Sequence, residues 1–163
     1  MIRIIDQPRP DDIVSDDDFV AFVEDVEPRL RRALVGAVGV DAAADAVAEA
    51  LSYAWQNWPR ISAMQNGAGY LYRVARSSVR VRRPSRVRYL IDEQAALPQV
   101  EPGLPDALRA LPERQRTVVW LVYACEWSYA EVAEALDISA SAVGTHASRG
   151  LAALRTSIGD DHG

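Results

Sequence analysis

The sequence predicts an all-α protein made of two small helical domains, a three-helix unit and a helix-turn-helix unit, joined by a flexible linker. Three observations carry this. Apolar residues recur at helical spacing through residues 16 to 83, with none of the alternation that marks strands. Residues 84 to 103 break that period, carrying Pro84, Pro98 and Pro102 together with Asp92, Glu93 and Glu101. After them, the run SYAEVAEALDISASAVGTHASRGLAALR at 128–155 reads as two short amphipathic helices joined by a three-residue turn. A length of 163 residues with 49% hydrophobic content leaves room for two small cores. The expected boundaries are 16–83, linker 84–103 and 104–156.

Residues 1 to 15 read as a polar lead-in. From Asp16, the positions Phe19, Phe22, Val23, Val26, Leu30, Leu34 and Ala37 keep a helical period, with Pro28 as a local bend or restart and an end near Gly39. Asp41 precedes an alanine-rich helix of about five turns whose expected apolar face is Ala44, Val47, Ala48, Leu51, Ala54, Trp55 and Trp58, stopped by Pro59. Residues 60 to 68 have loop character. A third helix should run from about Gly69 to Arg83, ended by Pro84.

In that third helix Arg73, Arg76, Arg80 and Arg83 recur at steps of three, four and three, so four guanidinium groups share a face opposite Leu71, Val74, Ala75 and Ser78. No carboxylate lies four residues away to pair with them, and the stripe points to a polyanionic partner. Leu104 to Leu111 forms a short helix. Pro112 opens another, in which Val118, Val119, Leu121, Val122 and Cys125 form a core.

The C-terminal hairpin is punctuated by its caps. Ser128 and Glu131 form the reciprocal pair that satisfies two amides at a helix start, so a helix should begin at Tyr129 with Val132, Ala133 and Leu136 on one face. Asp137 stands at the turn and Ser139 caps the second helix, whose stripe is Val143, Ala147, Leu151 and Leu154. Its other face carries Ser141, Gly144, Thr145 and Ser148, small enough to approach base edges in a major groove, with Arg149 and Arg155 supplying charge. His146 is placed to bond to a base or phosphate. Gly144 and Gly150 each cost about 1 kcal/mol of helix propensity, and DNA docking is the expected reason.

Several function classes are excluded. No apolar run approaches 18 residues and the N-terminus is acidic, so the expectation is a soluble, unexported, cytoplasmic protein with no membrane insertion. Cys125, the only cysteine, sits in an apolar run and offers neither a disulfide nor a metal cluster. His146 and His162 lack a nucleophile or ligand set and no glycine-rich phosphate loop is present, so neither an enzyme nor a cofactor is expected. All 18 basic residues are Arg, yet net charge is −5, which argues against indiscriminate coating of nucleic acid. The charge is segregated: the first 27 residues are strongly acidic, whereas residues 70 to 91 hold Arg and no acid.

With these elements in order, the chain resembles an extracytoplasmic-function sigma factor of the sigma-70 family, in its compact actinobacterial sigma-E-like branch, over about residues 16 to 156. DAVAEALSYAWQNW at 45–58 is similar to the region 2.2 helix, and the resemblance implies that Asp45, Glu49 and Trp55 bind core RNA polymerase at its β′ coiled coil, with Trp58 at a further aromatic position. YLYRVARSSVRVRR at 70–83 is similar to the segment that melts and reads the −10 element, which adds Ser77 to the DNA-contacting set. ALRALPERQRTVVWL and the capped hairpin are similar to region 4, implying −35 recognition and a contact with the β flap. The loop Ser62 to Gly67 corresponds to the one that captures a flipped −10 base. The family also implies an anti-sigma factor as regulator. Ala48, Ser77 and Gly144 depart from its usual Gln, Asn and basic residue, and bear on core affinity and promoter preference.

Two other readings stand beside this one. VGTHASRGLAAL also resembles the recognition helix of LuxR-type regulators, which would make the N-terminal part a sensor or dimerisation region. The departures also allow a sigma-like adaptor that binds polymerase or a partner without initiating.

Overall fold

The computed structural model describes residues 16–82 and 103–160, and every regular element within them is helical. The N-terminal group comprises α1 (Asp16–Val38), α2 (Val40–Gln56), the single turn α3 (Trp58–Ile61) and α4 (Gly67–Arg82). The C-terminal group comprises α5 (Leu104–Ala110), α6 (Glu113–Val119) with a π-helical turn at Trp120–Ala124, α7 (Tyr129–Leu136) and α8 (Ala140–Asp160). The lead-in and all but the last residue of the expected linker lie outside the described residues.

Three aspartates in the first turn of α1 complement its positive helix end. Of the bend or restart expected at Pro28, the restart does not occur: α1 is one 23-residue helix, with Pro28 on its exposed side. Gly39, at φ 85°, turns the chain back where a side chain would be strained, and α2 starts at the next residue. The buried face of α2 is Ala43, Ala46, Val47, Ala50 and Ala54, rotated from the expected one. Ala44, Ala48 and Trp55 are exposed, because α2 lays its smallest residues against α1 and α4, where close backbone approach is possible. Leu30, Leu34, Leu71, Tyr72 and Ala75 complete that core.

Residues 60 to 68 are less of a loop than expected, since α3 takes up their start and α4 begins at Gly67. A Cβ on Gly67 would lie 2.7 Å from the Phe22 ring, so only glycine lets α4 start against α1. Phe22 in turn packs at 5.0 Å on Trp58, and Phe19 meets both Trp58 and Trp55 edge-on.

In the C-terminal group, α8 crosses α5 and α6 over a small cluster of Ala107, Leu111, Val119 and Leu154. The π turn widens the helix after Val119 and is capped by Cys125, and Glu126 beyond it holds φ 58°. It leaves Leu121 fully buried and Cys125 5% exposed. At 21 residues, α8 is not short, and its first half alone belongs to the hairpin.

The two groups also share a core. One continuous cluster runs from Val26, Leu30 and Leu71 to Trp127, Val132, Val143 and Ala147. Trp127 is 2% exposed and stands edge-on to Tyr72 at 5.7 Å, with the Arg29 guanidinium over its ring. Trp120 donates its indole N–H to the Arg32 carbonyl at 3.2 Å and lies where a side chain on Gly36 would be. Arg29 pairs with Glu131, and Asn66 donates to the Glu131 carbonyl at 3.3 Å. The halves expected to hang on a leash are docked face to face.

Candidate nucleic-acid interface

The helix-turn-helix is set by its local chemistry. Glu131 N–H donates to Ser128 Oγ at 3.2 Å and Ser128 N–H donates to Glu131 Oε2 at 2.8 Å, closing both arms of the capping box. Asp137 adopts the left-handed conformation at φ 54°, ψ 53°, and the next amide returns to Ala133 O at 3.0 Å, ending α7 sharply. Ser139 Oγ then accepts from Ala142 N–H at 3.1 Å and starts α8.

On α8, Val143 and Ala147 are fully buried and Leu154 nearly so, while Leu151 is half-buried. Ser141, Thr145, Ser148 and Arg149 lie on the opposite, exposed side, as the sequence placed them. Thr145 Oγ1 donates to Ser141 O at 3.0 Å, so its proton is committed and its oxygen remains an acceptor. Gly144 is half-buried, and a Cβ there would lie 3.4 Å from the Tyr129 ring. His146 sits at the flank with its Nδ1 buried and unpaired, not on the open face. Gly150 is buried, and a Cβ there would meet Val119 Cγ2 at 2.6 Å. The reason for this glycine is therefore helix packing, not DNA docking.

On α4, Arg73 is exposed and lies over the Tyr70 ring at 5.6 Å, with Arg60 at 5.3 Å from the same ring. Arg76 is half-buried, stacks on Tyr72 and is 3.5 Å from Glu113 of α6. The carboxylate missing at i±4 thus arrives from the other half of the molecule. Ser77 is exposed and donates to Val74 O. The side chain of Arg80, and Arg83 altogether, lie outside the described residues. Arg73, Arg76 and Ser77 form one wall of a cleft of about 360 Å³ whose other wall is α6.

The predicted polymerase-facing residues all lie on α2. Asp45 is exposed, Glu49 is half-buried and Trp55 is 53% exposed, held at its edge by Phe19. Trp58 is buried against Phe19 and Phe22. A half-exposed Trp braced by a neighbouring ring is a natural anchor for a partner.

Sequence reasoning missed Arg29, Asn66, Tyr72, Trp120 and Trp127, the residues that dock the halves. Trp127, just before the capping Ser128, carries the signature of an apolar residue preceding a helix cap. That signal gives its position but not its partner, Tyr72, which lies 55 residues earlier. No cluster of His, Cys, Asp and Glu suited to a metal occurs among the described residues. Burial pushes the Cys125 thiol up to about 12, with Arg32 opposing. No helix among the described residues is long and apolar enough to cross a membrane.

Comparison with known proteins agrees with this geometry. Residues 103–154 match the family model described as Sigma-70, region 4, which covers α5 through most of α8. The fold is similar to that of the sigma factor RpoE from Bartonella quintana, solved in complex with the anti-sigma factor NepR. That likeness has a TM-score of 0.64 and 22% identity, covering 86% of this chain and 96% of that one. A search of curated proteins finds no match.

Proposed function

We propose that this protein is a sigma-type transcription initiation factor, which binds core RNA polymerase and directs it to promoters. The observation that carries the reading is the region 4 match. It falls on a capped helix-turn-helix whose second helix presents Ser141, Thr145, Ser148 and Arg149 outward, on a chain that also has the RpoE fold. In this reading α8 reads the −35 element, α4 acts on the −10 element through its arginines, and Asp45, Glu49 and Trp55 hold the β′ coiled coil. The C-terminal group takes the β flap, and no cofactor or catalytic group is needed. An anti-sigma factor is a proposed partner, as one is for the RpoE structure. Within this reading the extracytoplasmic-function class and the actinobacterial sigma-E-like branch rest on the sequence resemblance, and a cytoplasmic location is part of the same proposal.

The docked arrangement adds a condition. Arg76 is engaged with Glu113 and the basic wall of α4 looks across a cleft at α6, so duplex DNA meets the whole of that wall only when the halves separate. Polymerase and promoter together supply the differential binding that opening needs. The described N-terminal helices show no βα alternation, which removes support for a receiver-type sensor under the LuxR-type reading.

The test is reconstitution with core RNA polymerase. The purified chain should form a stable complex and transcribe from genomic fragments sharing an upstream motif, and the Asp45→Arg, Glu49→Arg double variant should lose association while keeping its helical circular dichroism. Association without transcription would favour the adaptor, and no association would leave a free DNA-binding regulator.

A further inference from the structure

The cleft between α4 and α6 is built as an anion site, and the geometry points to a compact polyphosphate, an inorganic triphosphate or the phosphate tail of a nucleotide, as the ligand that fills it and clamps the two halves together. Arg73 projects from the α4 wall and Arg114 from the α6 wall; both are exposed, and neither has a carboxylate partner among the described residues. Between them Arg76 meets Glu113 at 3.5 Å, longer than the 2.7–2.9 Å of a well-formed charged hydrogen bond. Three guanidinium groups therefore face one carboxylate in a space of about 360 Å³, within the range of small-ligand sites.

The donor chemistry narrows the ligand further. Ser77 and Thr117 in the cleft give their hydroxyl protons to the Val74 and Glu113 carbonyls, so recognition falls to the guanidinium forks. Those forks suit phosphate oxygens in bidentate geometry. The excess of positive over negative charge calls for a ligand with several charges close together, which one carboxylate or chloride does not provide. The end of α7, with Ala135 and Leu136, gives the cleft an apolar side against which a nucleotide base can lie. Because the two walls come from opposite halves, the site exists only in the docked molecule. A bound polyphosphate favours that form by mass action and keeps α4 from DNA. Binding does not depend on the proposed function; its effect on transcription does.

The test is isothermal titration calorimetry of the full chain with sodium tripolyphosphate and, separately, with ATP, at low salt. One ligand per chain is expected, with affinity falling at least about tenfold in both Arg73→Ala and Arg114→Ala, and unchanged in Arg31→Ala, whose guanidinium pairs with Glu27 and does not line the cleft. The melting temperature should rise with ligand in the wild type and not in the two cleft variants. ATP binding more tightly than tripolyphosphate assigns a nucleotide, and equal affinities assign the phosphate chain alone. The proposal is overturned by no measurable binding, by equal losses in Arg31→Ala, or by binding that survives Arg114→Ala, which would place the anion on α4 alone. Both cleft arginines are exposed, so circular dichroism should show folded variants.

Discussion

Glu131 holds three tasks at one position. Its carboxylate caps α7 by accepting from Ser128 N–H and pairs with Arg29 of α1, and its carbonyl accepts from Asn66. Burial pushes its pKa up, but the hydrogen bonds from Arg29 and Ser128 outweigh that and hold it below the ordinary glutamate value. A carboxylate lowered in the folded state contributes stability that is complete above its unfolded pKa of about 4.3 and is lost as pH falls through the lower folded value. Glu131→Gln keeps the capping geometry and loses the charge, so it should destabilise by about 0.5–1 kcal/mol near neutral pH. Glu131→Ala loses the cap as well, and about 1–2 kcal/mol is expected. Urea midpoints between pH 3 and 7 check both, and the gap between wild type and Gln should close at the acid end.

At the scale of elements, the two glycines of α8's second half make opposite predictions. Gly150 faces Val119 Cγ2, and a valine in a helix has little rotamer freedom with which to yield. Gly150→Ala should therefore cost about 1 kcal/mol net, overpacking exceeding the gain in helix propensity. In a Val119→Ala background the same change should turn stabilising by about 0.5 kcal/mol. A Cβ on Gly159 meets nothing within 4 Å, so Gly159→Ala should stabilise in either background. Thermal melts of the set decide it.

The elements themselves were largely legible in the sequence. Caps at Ser128 and Ser139, the turn at Asp137 and the period of α8 are local signals, and each stands where the residues put it. The face of α2 was misread because an alanine-rich helix has apolar residues all round. Which of them face inward depends on α1 and α4, not on α2. Pro28 alone leaves one helix or two open, and burial of Val26 and Leu30 on either side goes with the continuous one. The exposed hydroxyl face of α8 follows from periodicity, whereas His146 sits at the boundary of that face, where periodicity does not decide its burial.

For the whole molecule, periodicity places residues on faces but is silent about which face meets which across 55 residues of intervening chain. The docking of the two groups depends on such pairs, Tyr72 with Trp127 and Arg32 with Trp120. Their separation in sequence means that docking must offset the entropy of closing long loops, and few contacts do so. Trp127→Ala should therefore loosen the docked form far more than it unfolds either group, measurable as hydrogen exchange rising first in α7 and in the adjoining part of α4.

Cys125 turns this into kinetics. It is the chain's only thiol, it is nearly fully buried, and Arg32 of the opposite group is close enough to influence its ionisation. With its thiol pushed up to about 12 by burial, Cys125 stays protonated near neutral pH, so a disulfide reagent in solution has almost nothing to attack while the molecule stays closed. Each excursion that uncovers Cys125 restores an ordinary thiol. The rate at which an aromatic disulfide reagent modifies the native protein is then a built-in clock of how often the halves part. It should run at least about tenfold faster in Trp127→Ala, by the reasoning that tenfold in the open population corresponds to 1.4 kcal/mol of lost docking.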